Sequence, residues 1–107
     1  MTIPEIEVDE LAARLDAGAV LFDVREPDEY TEAHAPGAVL VPLATVPDAV
    51  EQFRLDGPVH VICRSGGRSA RAVEFLRAQG IDAVNVAGGT LAWLSSGRRH
   101  VTGPDPA

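Results

Sequence analysis

The sequence has one cysteine, Cys63, in 107 residues, and no lysine at all. A lone thiol forms no internal disulfide, so the fold does not depend on oxidation. Its solitude also excludes a Cys-x-x-Cys redox pair and a thiolate zinc cluster. The three histidines, His34, His60 and His100, are scattered without metal-ligand spacing, so neither a metal nor a cofactor is expected. No apolar run exceeds a few residues, which argues against a membrane-spanning helix. The opening MTIPEIEVDE has neither the basic nor the apolar region of a secretory leader, and the expected location is the cytoplasm.

Without lysine, all nine cations are arginines, whose planar guanidinium suits oxyanions. The net charge of −7 is unevenly spread: residues 1–60 carry −10, whereas residues 61–107 carry +3. Overall acidity argues against nucleic acid as a partner. The second half nevertheless has a local positive field. By itself that asymmetry is also what a solvated surface gives by chance. An apolar fraction of 46% and a charged fraction of 23% are those of an ordinary globular protein, and the length allows one core.

Along the chain, short apolar runs alternate with helical patterns. Asp9 is placed to cap a first helix carrying Leu11, Ala12 and Leu15 on one face and ending at Gly18. AVLFDV (Ala19–Val24) reads as a buried strand. Pro27 suits the first turn of a helix, and Pro36-Gly37 signals a turn. AVLV (Ala38–Val41) is a second strand, and TVPDAVEQFRL a helix opened near Pro47 and broken by Asp56-Gly57-Pro58. VHVIC (Val59–Cys63) is a third strand. Ser69, Ala72, Val73 and Leu76 then form a helical stripe ended by Gly80. AVNVAGG (Ala83–Gly89) is a fourth strand with a double-glycine turn, and TLAWLSS a short helix with Trp93 in the core. One domain is expected over residues 1–97, with a frayed tail over 98–107.

This alternation predicts an α/β fold, a mostly parallel sheet with helices on both faces. In such sheets ligands sit beyond the carboxyl ends of the strands. Cys63 is at such an end, as are Asp23 and Arg25.

The segment after Cys63, RSGGRS, carries the chemistry. Small residues between a strand and a helix let successive N–H groups converge into an anion-binding nest. Gly66 and Gly67 permit the backbone angles required. A thiol at the centre of that nest, with Arg64 and Arg68 nearby, is in the setting that favours thiolate. The plain alternative is a small buried hydrophobe. A structural turn, however, needs one glycine and gains nothing from two flanking arginines. Arg64 is the better candidate for steering an anion, whereas Arg68 either orients a ligand or braces the loop. Ser65 and Ser69 are candidate donors to sulfur, and Ser69 equally suits the helix start.

CRSGGRS resembles the active-site loop of the rhodanese family, single-domain sulfurtransferases. LFDVREPDEYTEAHAPGAVLVPL (Leu21–Leu43) and GGTLAW (Gly88–Trp93) resemble two further signatures of that family, in its order and spacing. The segment AHAPGA departs from the usual Gly-His-Ile-Pro-Gly-Ala at Ala33 and Ala35, positions of packing rather than chemistry. The resemblance implies a three-layer rhodanese-like fold and a persulfide on Cys63. The sulfur would come from a small anionic donor such as thiosulfate, and the loop from Arg64 to Ser69 would cradle it. A thiol, cyanide or a protein would accept it. Asp23 and Arg25 are then expected as a buried pair supporting the loop, and Glu29 and His34 as members of a hydrogen-bond network.

Two other functions compete. A cysteine-dependent phosphatase uses Cys-x5-Arg to wrap a whole phosphate, whereas four residues separate Cys63 from Arg68. A silent rhodanese-fold binding module usually lacks the cysteine or breaks the loop, and this chain keeps both. A persulfide carrier dedicated to one partner would share the chemistry and differ only in its acceptor.

Overall fold

The computed structural model describes residues 2–107. Five short strands form, all but the first where the apolar runs lie: β1 (Glu5–Ile6), β2 (Val20–Asp23), β3 (Val39–Leu40), β4 (Val59–Ile62) and β5 (Ala83–Val86). Their order in the sheet is β1-β5-β4-β2-β3, and every pairing is parallel. Four α-helices, α1 (Val8–Asp16), α2 (Pro27–Glu32), α3 (Gly67–Ala78) and α4 (Gly89–Ser95), and a 3₁₀ segment, Leu43–Phe53, connect the strands.

Alternation along the strands splits the core in two. Phe22 and Val61 face the 3₁₀ segment and α3, meeting Val46, Phe53, Val73 and Leu76. Leu21 and Ile62 face the other way, toward Leu11, Tyr30 and Trp93 of α1, α2 and α4. Helices therefore cover both faces, which is why β4 and β5 are buried at every residue. Ala35 is completely buried in the second cluster, a packing position as its small side chain suggests.

The structure departs from the sequence reading in four places. Asp9 does not cap α1: Glu7 occupies the cap without a side-chain bond, and Asp9 lies in the first turn, paired with Arg98 at 2.8 Å. There its charge still favours the positive end of the helix. β1 is a fifth strand, and two residues are too few to show a period. The segment around Pro47 is 3₁₀ rather than α, since proline lacks the N–H and its ring clashes with the carbonyl four residues earlier.

The C-terminal segment, expected to fray, is bonded to the body. His34 and Val101 exchange backbone bonds of 2.9 and 2.8 Å, Gly103 N donates to Thr31 O, and Gly37 N donates to Pro106 O. These backbone contacts link segments distant in sequence, which composition does not encode, and Trp93 Nε1 adds a bond to the Arg99 carbonyl at 2.9 Å.

Away from the carboxyl end of the sheet, His60 is buried on β4. Its Nδ1 lies 3.1 Å from the Val20 carbonyl and its Nε2 lies 3.0 Å from Arg14 Nη1. A carbonyl only accepts, so Nδ1 carries the proton and the ring is neutral. Burial pushes His60 below its usual 6.5, and the Arg14 cation adds to this against the opposing Val20 carbonyl. The unfolded chain therefore takes up a proton that folded His60 resists. Stability is expected to fall as the pH drops below about 6.5, until folded His60 itself protonates. Urea unfolding at pH 7.5 and 5.5 checks this: His60→Gln should lose less stability across the interval than the parent. Equal losses would contradict it.

Candidate active site

The parallel sheet aligns Asp23 of β2 with Ile62 of β4, so Cys63 emerges at the carboxyl edge beside Arg25. Gly66 then turns the chain into α3 with φ +112°, a left-handed conformation costly to any residue with a side chain. A Cβ there would find only ordinary contacts, the nearest being Gly88 N at 3.6 Å. Its glycine is required by conformation rather than by space.

This turn aims donors at the sulfur. Gly66 N lies 3.1 Å from Cys63 Sγ, and the Ser69 hydroxyl lies 3.2 Å from it. The thiol is almost completely buried. Burial is the largest single influence on Cys63 and pushes its pKa up. The Ser69 hydroxyl and the N–H groups of Ser69, Gly66 and Ser65 together outweigh it, and the net shift is downward. Of the two candidate serine hydroxyls, Ser69 alone bonds the sulfur; Ser65 contributes through its backbone.

Ser69→Ala removes the strongest of these donors. Alkylation of Cys63 followed against pH should then show its midpoint moved upward relative to the parent. An unmoved midpoint would mean that the hydroxyl does not act on the thiol.

A second turn supports the loop from behind. Thr90 N donates to Cys63 O at 2.9 Å, and Leu91 N donates to Arg64 O at 3.0 Å. Gly89 makes this approach possible: a Cβ there would lie 2.6 Å from both carbonyl oxygens. Asn85 adds a tie from β5, donating through Nδ2 to Gly66 O at 3.3 Å and to Glu5 at 2.7 Å. Neither the Asn85 tie nor the Arg68 partner described next is marked by a motif in the sequence, since both depend on which strands and helices become neighbours.

The two loop arginines differ. Arg68 grips Glu29 of α2 with both nitrogens, at 2.7 and 2.8 Å, and thereby braces the loop. That guanidinium is the main reason the Glu29 carboxyl is held down to about 2. Arg64 is exposed and has no side-chain partner among the described residues, leaving its charge available.

Beneath α2, Asp23 and Arg25 form the buried pair. Arg25 Nε lies 3.0 Å from one Asp23 oxygen and Nη2 lies 2.7 Å from the other. The same guanidinium donates to the carbonyls of Glu29 and Ala33, at 3.3 and 2.8 Å. It therefore anchors the helix that carries Glu29. His34 serves the same region, with Nδ1 2.7 Å from Tyr30 O and Nε2 2.8 Å from Asp105 O.

A buried thiol lowered in pKa by a glycine-turned loop is a centre for nucleophilic sulfur chemistry. The model of the rhodanese-like domain matches residues 7–96. The chain belongs to the rhodanese-like domain family. The domain is 38% identical over 95 residues to the Bacillus subtilis protein called "Putative sulfurtransferase YtwF", covering 87% of this chain and 92% of that one. It is similar to the crystal structure of a rhodanese-like domain protein from Staphylococcus aureus, with 40% identity and a TM-score of 0.80. That match covers 85% of this chain and 91% of the other. A thiosulfate sulfurtransferase from Pseudomonas aeruginosa shows 31% identity and a TM-score of 0.85. There the match covers 94% of this rhodanese-like domain but 20% of the larger protein.

Proposed function

We propose that this rhodanese-like domain is a sulfurtransferase that carries sulfane sulfur as a persulfide on Cys63, with a small anionic donor such as thiosulfate. The observation that carries this reading is the pair of donors on Cys63 Sγ, from Gly66 and Ser69. They stabilise a thiolate, and thiolate attack on sulfur needs no general base once that anion exists. The thiolate attacks the outer sulfur of thiosulfate. A new S–S bond forms, the old sulfur–sulfur bond breaks, and sulfite leaves with its electron pair. The added sulfur is then held by the N–H groups of the loop.

Arg64, without a side-chain partner among the described residues, attracts the anionic donor, while Arg68 stays committed to Glu29. With a single cysteine, the persulfide has no internal thiol to resolve it, so the sulfur waits for an outside acceptor. Similarity to proteins named as sulfurtransferases, one of them for thiosulfate, supports this assignment. Among the described residues no helix is long and apolar enough to cross a membrane. An unpaired thiol suits a reducing compartment, and the cytoplasm is the location we assign.

Turnover with thiosulfate and cyanide tests the proposal. Sulfite and thiocyanate should appear in equal amounts, with the parallel-line kinetics of a two-step transfer. Absence of turnover with both thiosulfate and polysulfide would replace this reading with that of a binding module.

A further inference from the structure

Near the carboxyl end of β5 a polar side chain is buried inside the sheet. Asn85 lies between Val84 and Val86 and is only 1% exposed. Asparagine is depleted in strands, and a buried amide destabilises unless its hydrogen bonds are made. Alternation sends Val84 and Val86 to the cluster around Trp93 and turns Asn85 to the opposite face, the side of α3. There its Oδ1 is buried without a hydrogen-bond partner. Nδ2 has two, the Glu5 carboxylate at 2.7 Å and Gly66 O at 3.3 Å. Both are acceptors, so turning the amide to satisfy Oδ1 would set oxygen against oxygen. The strand thus carries an orphaned atom with no local gain, which points to a role outside the strand itself.

Gly66 is where that role lies. It sits in the left-handed region and is followed by a second glycine, so the Gly66–Gly67 peptide is the loosest joint of the loop. The two donors on Cys63 Sγ flank this joint: Gly66 N precedes it, and the Ser69 hydroxyl follows on the first turn of α3. From the helix, the Gly66 carbonyl is held only by Ala70 N, at 3.1 Å. Asn85 supplies a second hold, from a strand paired on both sides by β1 and β4. A peptide is planar, so fixing its carbonyl also fixes the angle at which α3 leaves the loop.

We propose that Asn85 is a positioning residue for the Cys63 loop: it holds the Gly66–Gly67 peptide so that the donors on either side converge on the sulfur. Asn85 acts through Gly66 rather than on the sulfur itself. Its effect on sulfur transfer rests on the persulfide reading above, whereas its effect on the thiol does not. The downward shift of Cys63 depends on these same donors outweighing burial.

Asn85→Leu keeps the branched shape of the side chain and removes both the donor and the orphaned oxygen. Glu5 is exposed and turns to water, and Gly66 O keeps its bond from Ala70 N. The melting temperature should therefore hold or rise. Alkylation of Cys63 followed against pH should nevertheless show its midpoint moved upward. Loading by thiosulfate near neutral pH, followed by intact mass, should slow about two- to tenfold, the range of one neutral hydrogen bond. Val84→Ala, a cavity on the other face of the same strand, controls for general softening: it should lower the melting temperature and leave the midpoint in place. Asn85→Ala, which demands less space, should raise the midpoint as leucine does. An unmoved midpoint in a folded Asn85 variant, or an equal rise in Val84→Ala, would overturn the inference. Absence of loading in the parent, with the midpoint raised in Asn85→Leu, would overturn the persulfide reading and uphold the positioning of the thiol.

Discussion

Replacing Cys63 by serine is expected to reduce sulfur transfer by at least about a thousandfold, as removal of an enzyme nucleophile typically does. The serine hydroxyl is close in size and can accept the same bonds from Gly66 and Ser69. The fold should therefore persist, with near-parental circular dichroism and thermal midpoint. What disappears is the accessible anion, because a hydroxyl does not ionise in the range where this thiol does. Thiocyanate formation from thiosulfate and cyanide measures the loss. Transfer within tenfold of the parent by a folded Cys63→Ser protein would remove the cysteine from the mechanism.

The second large effect is on stability. Asp23→Asn leaves the buried Arg25 guanidinium without its counter-charge, since Asp23 is completely buried and Arg25 nearly so. Breaking such a pair from one side costs about 3–5 kcal/mol. A domain of this size has only about 5–15 kcal/mol in total. Urea unfolding should show a loss of about 3–5 kcal/mol, a large share of that total, and activity should fall with it. Arg25 holds the carbonyls of Glu29 and Ala33, and Glu29 in turn holds Arg68. Replacing both partners, Asp23→Leu with Arg25→Met, should recover much of the stability, because no charge is then left buried alone. A loss below about 1 kcal/mol in Asp23→Asn would contradict the electrostatic account of the pair.

Much of the molecule was legible from local pattern. The apolar run before Cys63, the glycines after it and the stripe through Ser69, Ala72, Val73 and Leu76 outline β4, the loop and α3, because those features are local and periodic. Pro27 opens α2 as a proline at a helix start does. Less accessible were features created by contact between distant segments. Arg68 was open between orienting a ligand and bracing the loop until α2 brought Glu29 against it.

β1 exists because two residues find an edge of β5 to pair with. Its sequence carries no period of its own. The C-terminal segment is held by main-chain groups of Thr31, His34 and Gly37, by the His34 ring on the Asp105 carbonyl and by Arg98 on Asp9, partners far away in sequence that no local pattern reveals. Asn85 was hidden as well. Inside AVNVAGG it reads as an ordinary strand residue, and only the meeting of β5 with β1 and the Cys63 loop gives its amide two acceptors.

The central claim is that Cys63 carries sulfur. Intact-protein mass spectrometry after brief exposure to thiosulfate tests it most directly, with Cys63→Ser treated in parallel. The account predicts a gain of one sulfur atom, reversed by cyanide or a thiol and absent from the serine variant. An unchanged mass after both thiosulfate and polysulfide, in folded protein with its thiol reduced, would contradict it.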